Sequence, residues 1–206
     1  MRRASVITVW LVRAVLFASL AHAQQSTVYG YDLNGNPVAQ LAAPGTSAIV
    51  AFLVATDCPI SNRYIPEIQR LENEFSPKPV TFWLVYPNAT ETVDGIRRHQ
   101  AAYGIQGATL MRPRPELMTL IHPVVTPESA VLVGPGSAHQ LSAVYTGRID
   151  DRYVDIGRER PRPTRHDLEQ AIDAVLEHQP VQPPAGPPVG CGIVNETILK
   201  SGEAKP

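Results

Sequence analysis

The chain has 206 residues with 18 basic and 19 acidic side chains, a net charge of −1, and 44% hydrophobic residues. That suits one folded domain with an appendage rather than a disordered or fibrous chain, and the slightly negative charge, with its one arginine cluster at 158–165 interrupted by prolines, argues against a nucleic-acid partner. Only two cysteines are present, Cys58 and Cys191. The count is too low for a disulfide-stapled mini-fold, and there is no Cys-x-x-Cys pair for a structural zinc.

In chain order, Met1-Arg2-Arg3 is followed by an apolar stretch from Val6 to Leu20 and then Ala21-His22-Ala23. A basic start, a short apolar middle and small residues two apart describe a secretory leader over residues 1–23. Arg13 breaks the run, which falls short of the ~20 apolar residues of a membrane span. Cleavage would start the mature chain near Gln24 with 15 basic against 19 acidic residues, a charge of −4. The expectation is an exported, periplasmic or secreted protein with no membrane attachment. The sequons at Asn88 and Asn195 matter only in a eukaryotic secretory route.

Ser26–Leu33 and Val38–Leu41 predict a hairpin around the turn Asn34-Gly35-Asn36-Pro37. Ala48–Val54 is uniformly apolar, as in a strand covered on both faces. It runs into Thr56-Asp57-Cys58-Pro59-Ile60-Ser61-Asn62. Pro59 suits a first helical position, and Ile60, Tyr64, Ile68, Leu71 and Phe75 recur at helical spacing, so a helix runs from Pro59 to Phe75 with a kink expected at Pro66. Cys58 therefore stands at a strand-to-helix junction. The free N–H groups and partial positive charge there favour a thiolate.

Val80–Tyr86 is a strand rich in β-branched and aromatic residues. Thr90–Tyr103 predicts a helix with Glu91 in its first turn, Ala108–Met111 a short strand, and Glu116–Ile121 a brief helix. Ser129–Val133 and Leu141–Tyr145 predict further strands, the first closed by Gly134-Pro135-Gly136. Thr164–Glu177 predicts a helix. Arg148, Asp150, Asp151 and Arg152 are either a charged wall of the site or surface ion pairs of little weight, and the second is the expectation; Arg158, Arg160, Arg162 and Arg165 are expected to be a solvated loop. The domain is placed at residues 24–178. Residues 179–206 form a proline-rich arm carrying Cys191 between Gly190 and Gly192, with a frayed end from Ser201. Ten extended residues span on the order of 30 Å, enough to cross a small domain.

This order of elements, over Ser26 to Glu177, resembles the thioredoxin fold, an α/β architecture with a central mixed sheet flanked by helices. It is most similar to the exported redoxin and thiol–disulfide oxidoreductase branch, related to the alkyl hydroperoxide reductase and thiol-specific antioxidant family. Cys58 matches that family's nucleophilic cysteine, and Pro66 its helix proline. Thr126-Pro127 matches its cis-proline loop, and Thr146–Tyr153 resembles a segment of redoxin-like exported bacterial proteins. The resemblance implies catalysis at Cys58 with Asp57, Pro59 and Ser61 in the motif and Thr126 and Pro127 lining a substrate groove. It implies protein or small-molecule thiols and disulfides as partners and no cofactor.

The motif departs from the family at Ser61, where a second cysteine would resolve the mixed disulfide. The Ser61 hydroxyl is a candidate donor to the Cys58 thiolate. Cys191 either supplies the missing thiol, pairs permanently with Cys58, or stays free. Three other functions follow from the same fold. A peroxidase would need a hydroxyl where Ala55 stands, with Ala51 at the proline position and Thr56 offset by one. A copper chaperone would use Cys58, Cys191 and His122, although Asn62 occupies the usual second-cysteine position. A non-catalytic, partner-binding member would need none of these.

Overall fold

The computed structural model describes residues 28–134 and 141–195. The predicted leader, Pro135-Gly136 and the end from Ser201 lie outside the described residues. Among the described residues the elements in chain order are β1 (Gly30–Tyr31), β2 (Pro37–Val38), β3 (Ala48–Leu53), α1 (Pro59–Phe75), β4 (Val80–Tyr86), α2 (Val93–Tyr103), β5 (Ala108–Met111), α3 (Pro115–Ile121), β6 (Val125–Thr126), β7 (Glu128–Val133), β8 (Ser142–Gly147), β9 (Tyr153–Asp155), β10 (Arg158–Glu159), α4 (Asp167–Leu176) and β11 (Cys191–Gly192).

Seven strands form one mixed sheet in the order β2-β1-β5-β4-β3-β7-β8. β3, β4 and β5 run parallel, and β7 and β8 extend the sheet antiparallel from β3. β3 lies inside the sheet, and all six of its residues are buried, which is why its sequence shows no polar alternation. Its side chains alternate between two cores. Val50 and Phe52 pack with Tyr64, Ile68, Leu71 and Phe75 of α1 and with Leu168 and Ile172 of α4. Ile49, Ala51 and Leu53 pack with Leu117 and Ile121 of α3 on the opposite face. Pro66 lies within α1. Among the described residues, no helix is long and apolar enough to cross a membrane.

Several boundaries differ from the sequence reading. The N-terminal hairpin is real but holds only two residue pairs. α2 begins at Val93, capped by the Thr92 hydroxyl, which accepts the Gly95 N–H at 3.1 Å. Glu91 therefore lies before the helix rather than in its first turn. Asp150 and Asp151 do pair with arginines, Arg152 at 3.8 Å and Arg160 at 3.3 Å, but they are not on the surface: they are 2% and 4% exposed. Asp150 accepts from the Tyr64 hydroxyl. Asp151 accepts from the Thr164 N–H and hydroxyl and from the Arg165 N–H. The arginines at 158, 160, 162 and 165 are exposed, as expected, but Arg158 lies in the strand β10 rather than in a loop, and Arg160 donates to the Asp151 carbonyl.

The arm is extended but not loose. Val181 and Val189 pack against the core, and the Ala185 N–H donates to buried Asp167 at 3.0 Å. Asp167 is itself held by Arg148 at 2.8 Å. Pro184 lies so close to Gly147 that a Cβ there would stand 2.7 Å from its ring. That glycine, at the end of β8, lets the arm pass.

Candidate functional site

The buried strand β3 ends at Leu53, and Thr56-Asp57 turn the chain into α1. Cys58 is the N-cap of that helix, with extended backbone, and its carbonyl accepts the first helical bond from the Asn62 N–H at 3.0 Å. Its sulfur accepts the Ser61 N–H at 3.5 Å. The N–H of residue 61, not its hydroxyl, therefore reaches the sulfur. The Ser61 hydroxyl oxygen is fully buried and accepts the Ala55 N–H at 3.4 Å.

Cys58 and Cys191 are joined in a disulfide across 133 residues, with Cα atoms 6.1 Å apart. Cys58 is 1% exposed, whereas Cys191 is half-buried. The arm brings Cys191 in as β11, which pairs antiparallel with β6: Cys191 faces Thr126 and Gly192 faces Val125. The Thr126–Pro127 peptide is cis. The Thr126 carbonyl oxygen lies 3.1 Å from the Cys58 sulfur, so a reduced Cys58 thiol has an acceptor at hand. Thr126 and Pro127 are buried. Asp57 and Pro59 are exposed at the rim. A cavity of about 380 Å³ opens beside the disulfide, lined by Pro59, Ile60, Tyr153, Ile156 and Cys191 and edged by the Arg63–Glu159 ion pair.

A polar chain that sequence reasoning missed supports the Cys58 turn. Glu91 accepts the Thr56 N–H at 2.8 Å and the Thr56 hydroxyl at 2.9 Å. Asn62 donates to the Thr56 carbonyl at 3.3 Å, and its side-chain oxygen lies 2.8 Å from His99 Nε2. The Tyr86 hydroxyl lies 3.0 Å from His99 Nδ1. Asn62 Oδ1 is acceptor-only, so Nε2 carries the proton and Nδ1 accepts from Tyr86. Burial lowers the His99 pKa and keeps the ring in this neutral form. Burial also raises Glu91, partly offset by its bonds from Thr56. Across the disulfide, Glu128 is 3% exposed and accepts the N–H groups of Val124 and Val125 at 2.8 and 3.2 Å, which fixes the loop around Pro127. Burial raises its pKa too. No local pattern marks these pairings, because Glu91 and Thr56 are 35 positions apart and meet only through the sheet.

Two alternatives lose their geometric basis. His122 is exposed and caps α3 in the left-handed region. Among the described residues, the group of three ligand-type side chains within 4.8 Å is Glu67, His166 and Glu169, so His122 does not join the two cysteines. Arg70 already bridges Glu67 and Glu169 in that group. The Thr56 hydroxyl donates to Glu91, and so is committed away from any peroxide at Cys58.

No protein-family model matches the sequence, and no curated protein matches it. Solved structures do share its fold. An uncharacterized conserved protein from Geobacillus kaustophilus matches with a TM-score of 0.64 at 21% identity, over 84% of this chain and 91% of its own. A hypothetical protein from Sinorhizobium meliloti 1021 matches with a TM-score of 0.64 at 19% identity, over 82% of this chain and 96% of its own. A protein from Neisseria meningitidis provisionally named a thioredoxin matches with a TM-score of 0.50 at 18% identity, over 76% of this chain and 93% of its own. The likeness is one of fold: an α/β, thioredoxin-like architecture with a central mixed sheet.

Proposed function

We propose that the protein is an exported thiol–disulfide oxidoreductase in which Cys58 is the nucleophile and the arm-borne Cys191 resolves it. The observation that carries the reading is the Cys58–Cys191 disulfide at the N-terminus of α1, against the Thr126-Pro127 loop. A thiolate at Cys58 gains the Ser61 N–H and the helix dipole. The predicted leader supports an oxidising compartment. Domain limits of 24–178 and an arm of 179–206 fit this division of labour.

In the reduced protein the Cys58 thiolate attacks a substrate disulfide. A Cys58–substrate bond forms and the substrate disulfide breaks, with one substrate thiolate leaving. Cys191 then attacks the Cys58 sulfur. The intramolecular disulfide forms, and the second substrate thiol departs. Regeneration needs two external thiols. The first attacks Cys191, the half-buried sulfur that opens on the cavity, and expels Cys58 as a thiolate. The second attacks the new mixed disulfide and frees Cys191. Each step exchanges one S–S bond for another. Run in reverse, the cycle oxidises a dithiol, and the reduction potential decides the direction.

Cys58→Ser is expected to abolish turnover of a fluorescent disulfide-linked peptide. Cys191→Ser is expected to accumulate a Cys58–peptide adduct visible by intact mass. A Cys58→Ser protein with full turnover would overturn the proposal.

A further inference from the structure

The segment Gly190–Val194 belongs to the chain, yet it is held as a bound peptide strand is held. Cys191 and Gly192 pair antiparallel with Thr126 and Val125. Val194 is gripped on both sides of its backbone: its N–H donates to Asn88 Oδ1 at 2.9 Å, and its carbonyl accepts the Ala89 N–H at 2.8 Å. Asn88 is buried, so its side chain is committed to this contact. These bonds address main chain and are indifferent to sequence, and the disulfide ties the strand to the site through the cysteine side chain.

A steric filter is added on one side only. A Cβ on Gly190 would stand 2.2 Å from the Thr126 carbonyl oxygen, 2.6 Å from its carbon and 3.1 Å from the Pro127 nitrogen. All three are backbone atoms of a loop that Glu128 fixes from below, so no side-chain rotation makes room. A Cβ on Gly192 would meet nothing within 4 Å.

We infer that Thr126, Asn88 and Ala89 form a binding groove for an extended peptide in which glycine immediately precedes the reacting cysteine. The arm is its resident occupant until the disulfide is reduced. The inference rests on the thiol–disulfide exchange proposed above and names the substrate class of that site. A peptide seated in the register of Gly190–Val194 brings its cysteine sulfur to Cys58 as Cys191 does. The Cys58 thiolate then bonds to that sulfur, and the peptide's former disulfide partner leaves as a thiolate. A side chain before the cysteine must displace loop backbone, whereas the position after it is open.

The test uses the full chain with Cys191→Ala, reduced, so that Cys58 is the sole thiol. The probes are three synthetic hexapeptides, each with its cysteine as a thionitrobenzoate mixed disulfide. One has the sequence of residues 189–194, one has alanine before the cysteine, and one has alanine after it. Release of the coloured thiolate reports attack by Cys58, and because one protein meets all three peptides, competition from the arm cancels in the ratios. The parent peptide is expected to react about tenfold or more faster than the peptide with alanine before the cysteine, and at a similar rate to the third. Equal rates for the first two overturn the inference. Failure of Cys58 to react even with dithiobis(nitrobenzoate) overturns the exchange reading itself.

Discussion

At the scale of single residues, Cys58 and Ser61 divide their roles in a way the motif does not display. Ser61 occupies the place of a second cysteine, but its hydroxyl turns inward to the Ala55 N–H. Its backbone N–H, which any residue but proline supplies, serves the Cys58 sulfur. Ser61→Ala is therefore expected to cost about 1 kcal/mol of stability for the lost buried bond, read as a shift in urea midpoint, while the rate of thiol exchange stays unchanged. A large fall in exchange rate with intact stability would return the role to the hydroxyl. Cys58 itself was legible in the sequence, because an apolar strand followed by a proline-initiated helix fixes what kind of position the junction is. Its pairing with Cys191 was not. The two are separated by 133 residues, and no local rule chooses among a permanent bond, a resolving thiol and a free one.

Among the elements, the same division recurs. β3, α1 and β4 were readable because burial and periodicity are local properties of their residues. β6, β9, β10 and β11 are short strands that exist only because a partner is brought alongside, and their sequences carry no signal of their own. Asp150 and Asp151 were misread for a related reason: a charged pair between arginines looks solvated until the chain folds over it. Asp151 now holds the start of the segment leading into α4. Burial pushes its carboxyl up, but bonds from the Thr164 hydroxyl and the N–H groups of Arg165 and Thr164, with Arg160 nearby, outweigh this and bring it to about 2. A pKa depressed in the folded state gives stability that is present above the unfolded value of ~3.9 and is lost as pH falls through the folded one. Asp151→Asn is expected to lower stability by about 2 kcal/mol at neutral pH. The gap from wild type should close as pH falls from ~4 to ~2. Thermal melts across that window check it, and a gap independent of pH would contradict the assignment.

For the whole molecule, the disulfide joins a residue at the mouth of the sheet to one about midway along the arm, so it closes most of the described chain into a loop. In the chain-entropy picture a loop of this length stabilises the oxidised protein by up to about 5 kcal/mol. The Cys191→Ser protein is thus expected to unfold several kcal/mol more readily than the oxidised wild type and about as readily as the reduced wild type. Equal stability of oxidised and reduced wild type would mean that the arm is constrained without the bond. The same bond must also break for the exchange reading to hold: Cys58 is sealed, Cys191 faces a cavity, and the arm between Pro180 and Val194 is held by core packing of Val181 and Val189, by Pro184 against Gly147, and by contacts at Asp167, Thr126, Asn88 and Ala89. The most direct measurement is a redox titration of the full chain in buffers of reduced and oxidised glutathione, with thiols trapped by acid and alkylation and then assigned by mass. Cys58 and Cys191 are expected to pass together from bonded to free along one two-electron curve within the glutathione range. A bond that persists at the most reducing ratio, or two cysteines that form separate glutathione adducts, would contradict it.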